Sequence, residues 1–346
     1  MPVHNYDAIP YVGSALQVAG NSDTEVHQQA WDAVKSATSA ENYAALSQGN
    51  TYRVRQSTDV QAFASVLPLY SAKIGYMYFL NLASDAKSML SLATWAGHFS
   101  ALAIGLMSFF WMLRSRSLQG AVLVAAILLL TNYIELARNV SPDIIASALT
   151  LFGLFFWVRN RVWVSAGFLF LALLFRPDTI ILLFALILVS FLFKTEKLPA
   201  LITFICGFFI SVWVQKQMGH PGWWVHYYFS NVSIQPTLEN FTPAFSAFAW
   251  LKGFSRGVFM SVVEFNWVAI FASILIALAA MVKSGLSFTN RQWALITTCI
   301  LTIGGKFLVF PLPDSRLYLV FLLVIALTSL EAWRPDFAWS KSKALN

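Results

Sequence analysis

Long apolar runs fix the kind of fold open to this chain. Predominantly apolar stretches, long enough to approach the ~17–25 residues of a membrane helix, fall at about 91–113, 118–136, 143–158, 162–176, 179–193, 198–215, 258–281, 293–310 and 317–333. In lipid a bare backbone finds no hydrogen-bond partner, so runs of this kind are expected to be helices. The composition agrees: 58% of the 346 residues are hydrophobic and only 11% are charged, against ~45–50% and ~25% in soluble domains. The expected fold is an all-α polytopic integral membrane bundle of about nine spans. The net charge of +7 is scattered among loops and forms no stripe, so nucleic acid is not an expected partner. Cys206 and Cys299 both sit in apolar runs and say nothing of redox compartment.

The loops sort by charge. One set is basic: Arg114 and Arg116, Arg159 and Arg161, Lys194 and Lys197, the Lys283–Arg291 turn, and the tail with Arg334, Lys341 and Lys343. The other set pairs one base with one acid: Arg138 with Asp143, Arg176 with Asp178, Arg316 with Asp314. Excess Lys and Arg in short loops marks the cytoplasm. The second set, the polar N-terminus, and the loop 216–257 are then external, and the tail 334–346 is cytoplasmic. This sidedness keeps residues 63–82 from spanning. With Pro68, Lys73, Gly75, and three tyrosines they read as an amphipathic helix in the outer interface, within a segment 63–88 that links to the bundle 89–333. No signal-peptide pattern is visible, so an external N-terminus leads to the expectation that a preceding transmembrane helix is missing from this sequence.

Residues 1–62 read as a folded external loop. "SDTEVHQQAWDAV" opens with a capping-box pattern, Ser22 to Glu25, followed by Val26, Ala30, Trp31 and Val34 at helical spacing. "SAENYAAL" predicts a second short helix. The stretch "HPGWWVHYYF" in loop 216–257 is either an aromatic belt or a lid that stacks on a ring-shaped ligand through Trp223, Trp224 and His226.

Ionisable groups inside a bilayer are functional candidates. Those in the spans, His98, Glu135, Glu264 and Lys306, all fall in outer halves under this topology. A transporter needs polar groups through both halves, whereas a one-sided cluster describes a cavity opening outward. Structural pairing, as of Glu135 with Arg138, is the plainer alternative. Walker, dinucleotide, HExxH and CxxC patterns are absent.

Three pieces carry a resemblance. An aspartate, Asp7, lies near the start in "NYDAIPYVGSAL"; "RNVSPDIIASALTLFGLFFW" puts Pro-Asp at the outer start of a helix; and "LALLFRPDTIILLFALIL" joins two helices through Arg-Pro-Asp. Together with the late "PLPDSRLYLVFLLVIAL", this order resembles the GT-C superfamily of membrane glycosyltransferases, such as protein O-mannosyltransferases and aminoarabinose transferases. The resemblance implies transfer of a sugar from a polyprenyl-phosphate carrier to a glycan, lipid or protein acceptor. The transfer takes place on the outer face of a membrane, here expected to be a bacterial plasma (inner) membrane.

The resemblance implies that Asp7 is the catalytic general base. Arg176, Lys306, Arg138 and Arg316 are the candidates for the leaving lipid phosphate. His98, Glu135, Glu264, Trp223, Trp224 and His226 are the expected substrate-pocket residues. Asp143 and Asp178 also read as helix-start residues that favour the macrodipole. Some relatives use a divalent metal; the sequence shows no metal constellation and none is assigned. A flippase of lipid-linked saccharides and a non-catalytic scaffold are the competing expectations.

Overall fold

The computed structural model describes residues 5–115, 118–130 and 133–334. Among the described residues the regular elements are all helices.

The first of two apolar cores organises the N-terminal module. Helix Ala8–Val18 is buried from Ala8 to Leu16 and packs on Asp23–Ala37. The latter begins with the expected capping box: the Ser22 amide donates to Glu25 Oε2 at 2.9 Å, and the Glu25 amide to Ser22 Oγ at 3.4 Å. Val26, Ala30, Trp31 and Val34 turn inward as their spacing predicts. Helix Ala40–Gln48 starts on a Ser39 cap and Thr51–Thr58 on an Asn50 cap. Each cap satisfies amides that a short helix otherwise leaves open, so a polar segment with little apolar area still folds.

The expected interfacial helix 63–82 takes a different form: three short helices, Val60–Val66, Pro68–Ser71 and Ile74–Leu80. Proline supplies no amide at the first junction. At the second, Lys73 leaves helical geometry with ψ of 60°. Phe63, Leu67, Tyr76, Met77 and Leu80 are buried inside the protein, under the first helix and the start of helix Ala86–Arg114, so the segment is mainly core. Tyr78 and Leu82 remain exposed.

The bundle forms the second core. Its axis is helix Leu319–Trp333, buried at every position from Leu319 to Glu331 and flanked by Ala86–Arg114, Leu118–Leu130, Asp143–Val158, Trp267–Lys283 and Asn290–Val309. A helix apolar on all sides belongs inside such a bundle. Helices Asp143–Val158 and Val162–Phe175 form a close hairpin in which Leu169 fills the space at Gly153.

The nine expected spans are reduced on two counts. Among the described residues three helices are long and apolar enough to cross a membrane: Ala86–Arg114, Lys197–Gln217 and Asn290–Val309. Helices such as Asp143–Val158 and Val162–Phe175 are apolar but shorter; at 1.5 Å per residue they reach only ~20–25 Å against a hydrocarbon layer of ~30 Å. The expected span 258–281 is broken into Ala247–Val263 and Trp267–Lys283, which bend by 71°. Glu264 ends the first helix and Asn266 takes the N-cap position of the second, so the polar residues sit at the break.

Among the described residues the two loop sets reach opposite ends of the bundle; Arg116, Lys341 and Lys343 lie outside those residues. At one end Arg159 pairs with Glu331 at 2.8 Å, Trp111 Nε1 donates to Glu331 at 2.7 Å, and Arg291 donates to the Trp157 carbonyl at 3.1 Å. At the other end lie Asp143, Arg176, Lys306 and Arg316, together with the N-terminal module.

Gly75 fastens that module to the bundle: a Cβ there would stand 2.9 Å from Leu174 Cβ and 3.0 Å from the Leu174 carbonyl oxygen. Gly75→Ala is therefore expected to cost about 1–3 kcal/mol, read as a lower unfolding midpoint of the detergent-solubilised protein.

Candidate functional site

Asp7 occupies the N-cap position of helix Ala8–Val18 but caps nothing with its side chain. Its carboxylate turns instead to two distant groups. Arg316 Nη1 lies 3.2 Å from Oδ2, and the Tyr70 hydroxyl donates to Oδ1 at 3.3 Å. Arg316 is presented by the tight turn Ser315–Leu317, whose start Asp314 caps by accepting from the Arg316 amide at 3.0 Å. Asp314 also pairs with Arg316 Nε at 2.7 Å.

From Arg316 the charges alternate inward. Asp143 Oδ2 lies 3.2 Å from Arg316 Nη1, and Asp143 Oδ1 lies 2.9 Å from Arg176 Nη1. Arg176 grips Asp178 with two bonds, Nε at 3.0 Å and Nη2 at 3.2 Å, the fork geometry in which guanidinium suits carboxylate best. Lys306 Nζ closes the row on Asp178 at 2.8 Å. Pro177 opens the short turn Pro177–Thr179 that aims Asp178 back at Arg176. Exposure separates the roles: the Asp7 side chain is 27% exposed and Asp143 only 6%. Solvent reaches Asp7, while Asp143 is enclosed between its two arginines.

Lys73 stands beside this row without joining it. Its ammonium lies over the Tyr11 ring at 4.6 Å and the Tyr70 ring at 5.1 Å, and among the described residues it makes no ion pair. Burial pushes it down to about 8, against the opposing pull of Asp143. Its charge is felt by His220 and His226 in the loop 216–257. Burial is the main cause that holds those imidazoles down, to about 4 and about 3, with Lys73 adding to it. Both histidines are therefore neutral at neutral pH.

Of the residues singled out from sequence, Asp7, Arg176, Lys306 and Arg316 come together. Arg138 is exposed at the end of helix Tyr133–Arg138 and stands outside the row. Its loop neighbour Asp143 pairs with Arg176 and Arg316 instead. His98 is exposed beside Trp95 on an outward face of its helix, and Glu264 is exposed at the break. The backbone of Glu135 belongs to helix Tyr133–Arg138, but its side chain lies outside the described residues. The aromatic stretch packs partly on itself and partly against the end of helix Asn290–Val309. Trp223 Nε1 donates to the Val309 carbonyl at 3.0 Å, Trp224 stacks on Tyr227 with centroids 5.5 Å apart, and His226 meets Phe310 at 4.8 Å. Lys73, Tyr70 and Tyr11 had no signal in the sequence beyond a lysine and tyrosines in an apolar stretch.

Among the described residues no group of three or more His, Cys, Asp or Glu side chains is placed to hold a metal ion. A crevice lined by Trp157, Ser165, Leu186 and Thr203 lies at the opposite end of the same helices, away from the charged row.

The chain matches no known protein-family model, no curated protein and no solved structure. Function has to come from the site's own chemistry.

Lys73 gives a pH signature. The unfolded chain holds a lysine proton up to ~10.4, while the folded protein releases it near about 8. Between those values the unfolded state binds more protons, so stability rises with pH there; below them the full burial penalty applies. The unfolding midpoint is expected to rise from pH 7.5 toward pH 9.5 more in the native protein than in Lys73→Met, measured by thermal melts across that range.

Proposed function

We propose that the protein is a membrane glycosyltransferase of GT-C type. It would move a sugar from a polyprenyl-phosphate carrier to an acceptor hydroxyl at the extracytoplasmic surface of the bilayer, with the shorter apolar helices completing a polytopic bundle of about nine crossings. The observation that carries this reading is the juxtaposition of a partly exposed carboxylate, Asp7, with Lys73, which makes no ion pair among the described residues, through the shared neighbour Tyr70. Such a pair offers a proton acceptor and an anion partner at one bilayer surface.

In this mechanism Asp7 accepts the proton of the acceptor hydroxyl as its oxygen attacks the anomeric carbon. The new glycosidic C–O bond forms while the bond from the anomeric carbon to the carrier phosphate oxygen breaks, and the electron pair leaves on the phosphate. Attack opposite the leaving group inverts the anomeric centre. Arg316 and Tyr70 hold the carboxylate on both oxygens and fix the direction from which it meets the hydroxyl. Lys73 faces the charge that develops on the phosphate, where a fixed cation in a dry setting is most effective. Arg176 and Lys306 were the first candidates for this task. Both are already neutralised by Asp143 and Asp178, so they support the site from behind.

A flippase is less well supported. Helix Leu319–Trp333, on the axis of the bundle, carries no charged side chain between Arg316 and Glu331, whereas transport sites lie near the bilayer midplane.

The test uses the purified protein with a panel of polyprenyl-phosphate sugars. Asp7→Asn keeps the Tyr70 and Arg316 contacts in reach and is expected to lower transfer by about 10²–10⁴-fold, with an unchanged unfolding midpoint. Unchanged transfer in that variant removes the mechanism. Lys73→Gln is expected to lower turnover as well.

A further inference from the structure

Helix Ala247–Val263 occupies ground that the sequence divides between an external loop and a span. It has three distinct faces. Gly253, Gly257 and Ser261, four residues apart, form the buried face. There the backbone presses on the end of the bundle that carries the charged row: a Cβ on Gly257 would meet the Pro311 carbonyl oxygen at 2.2 Å, and one on Gly253 the Tyr227 hydroxyl at 2.9 Å. Tyr227 in turn donates to the Trp250 carbonyl at 2.7 Å. The second face is apolar and bare, with Phe248 78%, Leu251 53% and Val262 63% exposed. Between these two faces lie Lys252 and Arg256, both exposed and one turn apart. Like charges at this spacing repel, and among the described residues neither makes an ion pair with any carboxylate.

The direction of the helix completes the picture. It bends by 71° from the apolar helix Trp267–Lys283. If that second helix runs along the membrane normal, the first lies roughly 20° from the membrane plane. A helix in that attitude, with one face on protein, one bare apolar face and a basic strip between, matches the surroundings at a headgroup layer.

We propose that helix Ala247–Val263 lies in the membrane interface and docks anionic phospholipid headgroups through Lys252 and Arg256. The bare face enters the acyl boundary, and the lipid phosphate supplies the counter-charge that the protein does not. The docking is independent of the transferase reading; it requires only that the protein sits in a bilayer.

The test has two arms, both on the full chain in nanodiscs of phosphatidylcholine with phosphatidylglycerol. In the first, single nitroxide labels are placed through Leu251→Cys, Ser255→Cys, Val258→Cys and Val262→Cys on a Cys206→Ser background, since Cys206 is exposed and Cys299 buried. These positions share one face, so at a tilt of roughly 20° immersion depths within about 6 Å of one another are expected. A helix crossing the bilayer would instead spread them over ~16 Å at 1.5 Å per residue, and that gradient overturns the proposal. In the second arm, spin-labelled phosphatidylglycerol is expected to be immobilised in preference to spin-labelled phosphatidylcholine. The preference should fall at least twofold in Lys252→Gln/Arg256→Gln and return in Lys252→Arg/Arg256→Lys. A preference unchanged in the glutamine variant overturns it as well.

Discussion

Charge removed from water has to meet opposite charge, and that rule organises the functional end of this protein. Asp143 lies enclosed between Arg176 and Arg316, and Asp178 between Arg176 and Lys306. Removing a partner of Asp143, whose side chain is only 6% exposed, leaves an uncompensated buried charge, a loss of about 3–5 kcal/mol. The row therefore does more than decorate a surface. It ties together four separate pieces of chain: the start of helix Asp143–Val158, the turn at Pro177, the end of helix Asn290–Val309 and the turn at Arg316. Through Asp7 it also reaches the N-terminal module, whose own apolar core could otherwise settle on the bundle in more than one attitude.

Two groups stand apart from these enclosed pairs. Asp7 forgoes its own helix cap and keeps an accessible carboxylate. Lys73 has aromatic faces for company where the other cations have carboxylates. Ring faces stabilise an ammonium without neutralising it, so its charge remains available to an incoming anion. Burial, with Lys73 adding to it, keeps His220 and His226 uncharged.

The local signals in the sequence were readable where the responsible contacts are local. Ser22 and Glu25 announce their helix because the capping bonds span three residues. Arg176 with Asp178 and Arg316 with Asp314 were visible as base–acid neighbours and do pair. Asp143 was visible only as a helix-start residue, since its partners Arg176 and Arg316 come from other loops. Lys73 counted merely as an obstacle to spanning; its value depends on Tyr11 and Tyr70 arriving from either side. Helix Ala8–Val18 escaped notice because it is buried around its whole circumference and so shows no polar stripe. The break at Glu264 was hidden within an apolar run whose hydropathy reports length and carries no direction.

The far end of the bundle is held quite differently. Glu331, at the foot of the axial helix, is clasped by Arg159 and by the Trp111 indole, and Arg291 binds the carbonyl of Trp157 close by. Those bonds join helix termini directly, with no loop domain between them. If the protein is the transferase proposed above, any widening to admit a bulky lipid headgroup would swing about this fastened base, as the arms of tweezers move about their joined end. The Arg159–Glu331 clasp would then set the stiffness of that swing from a full helix length away.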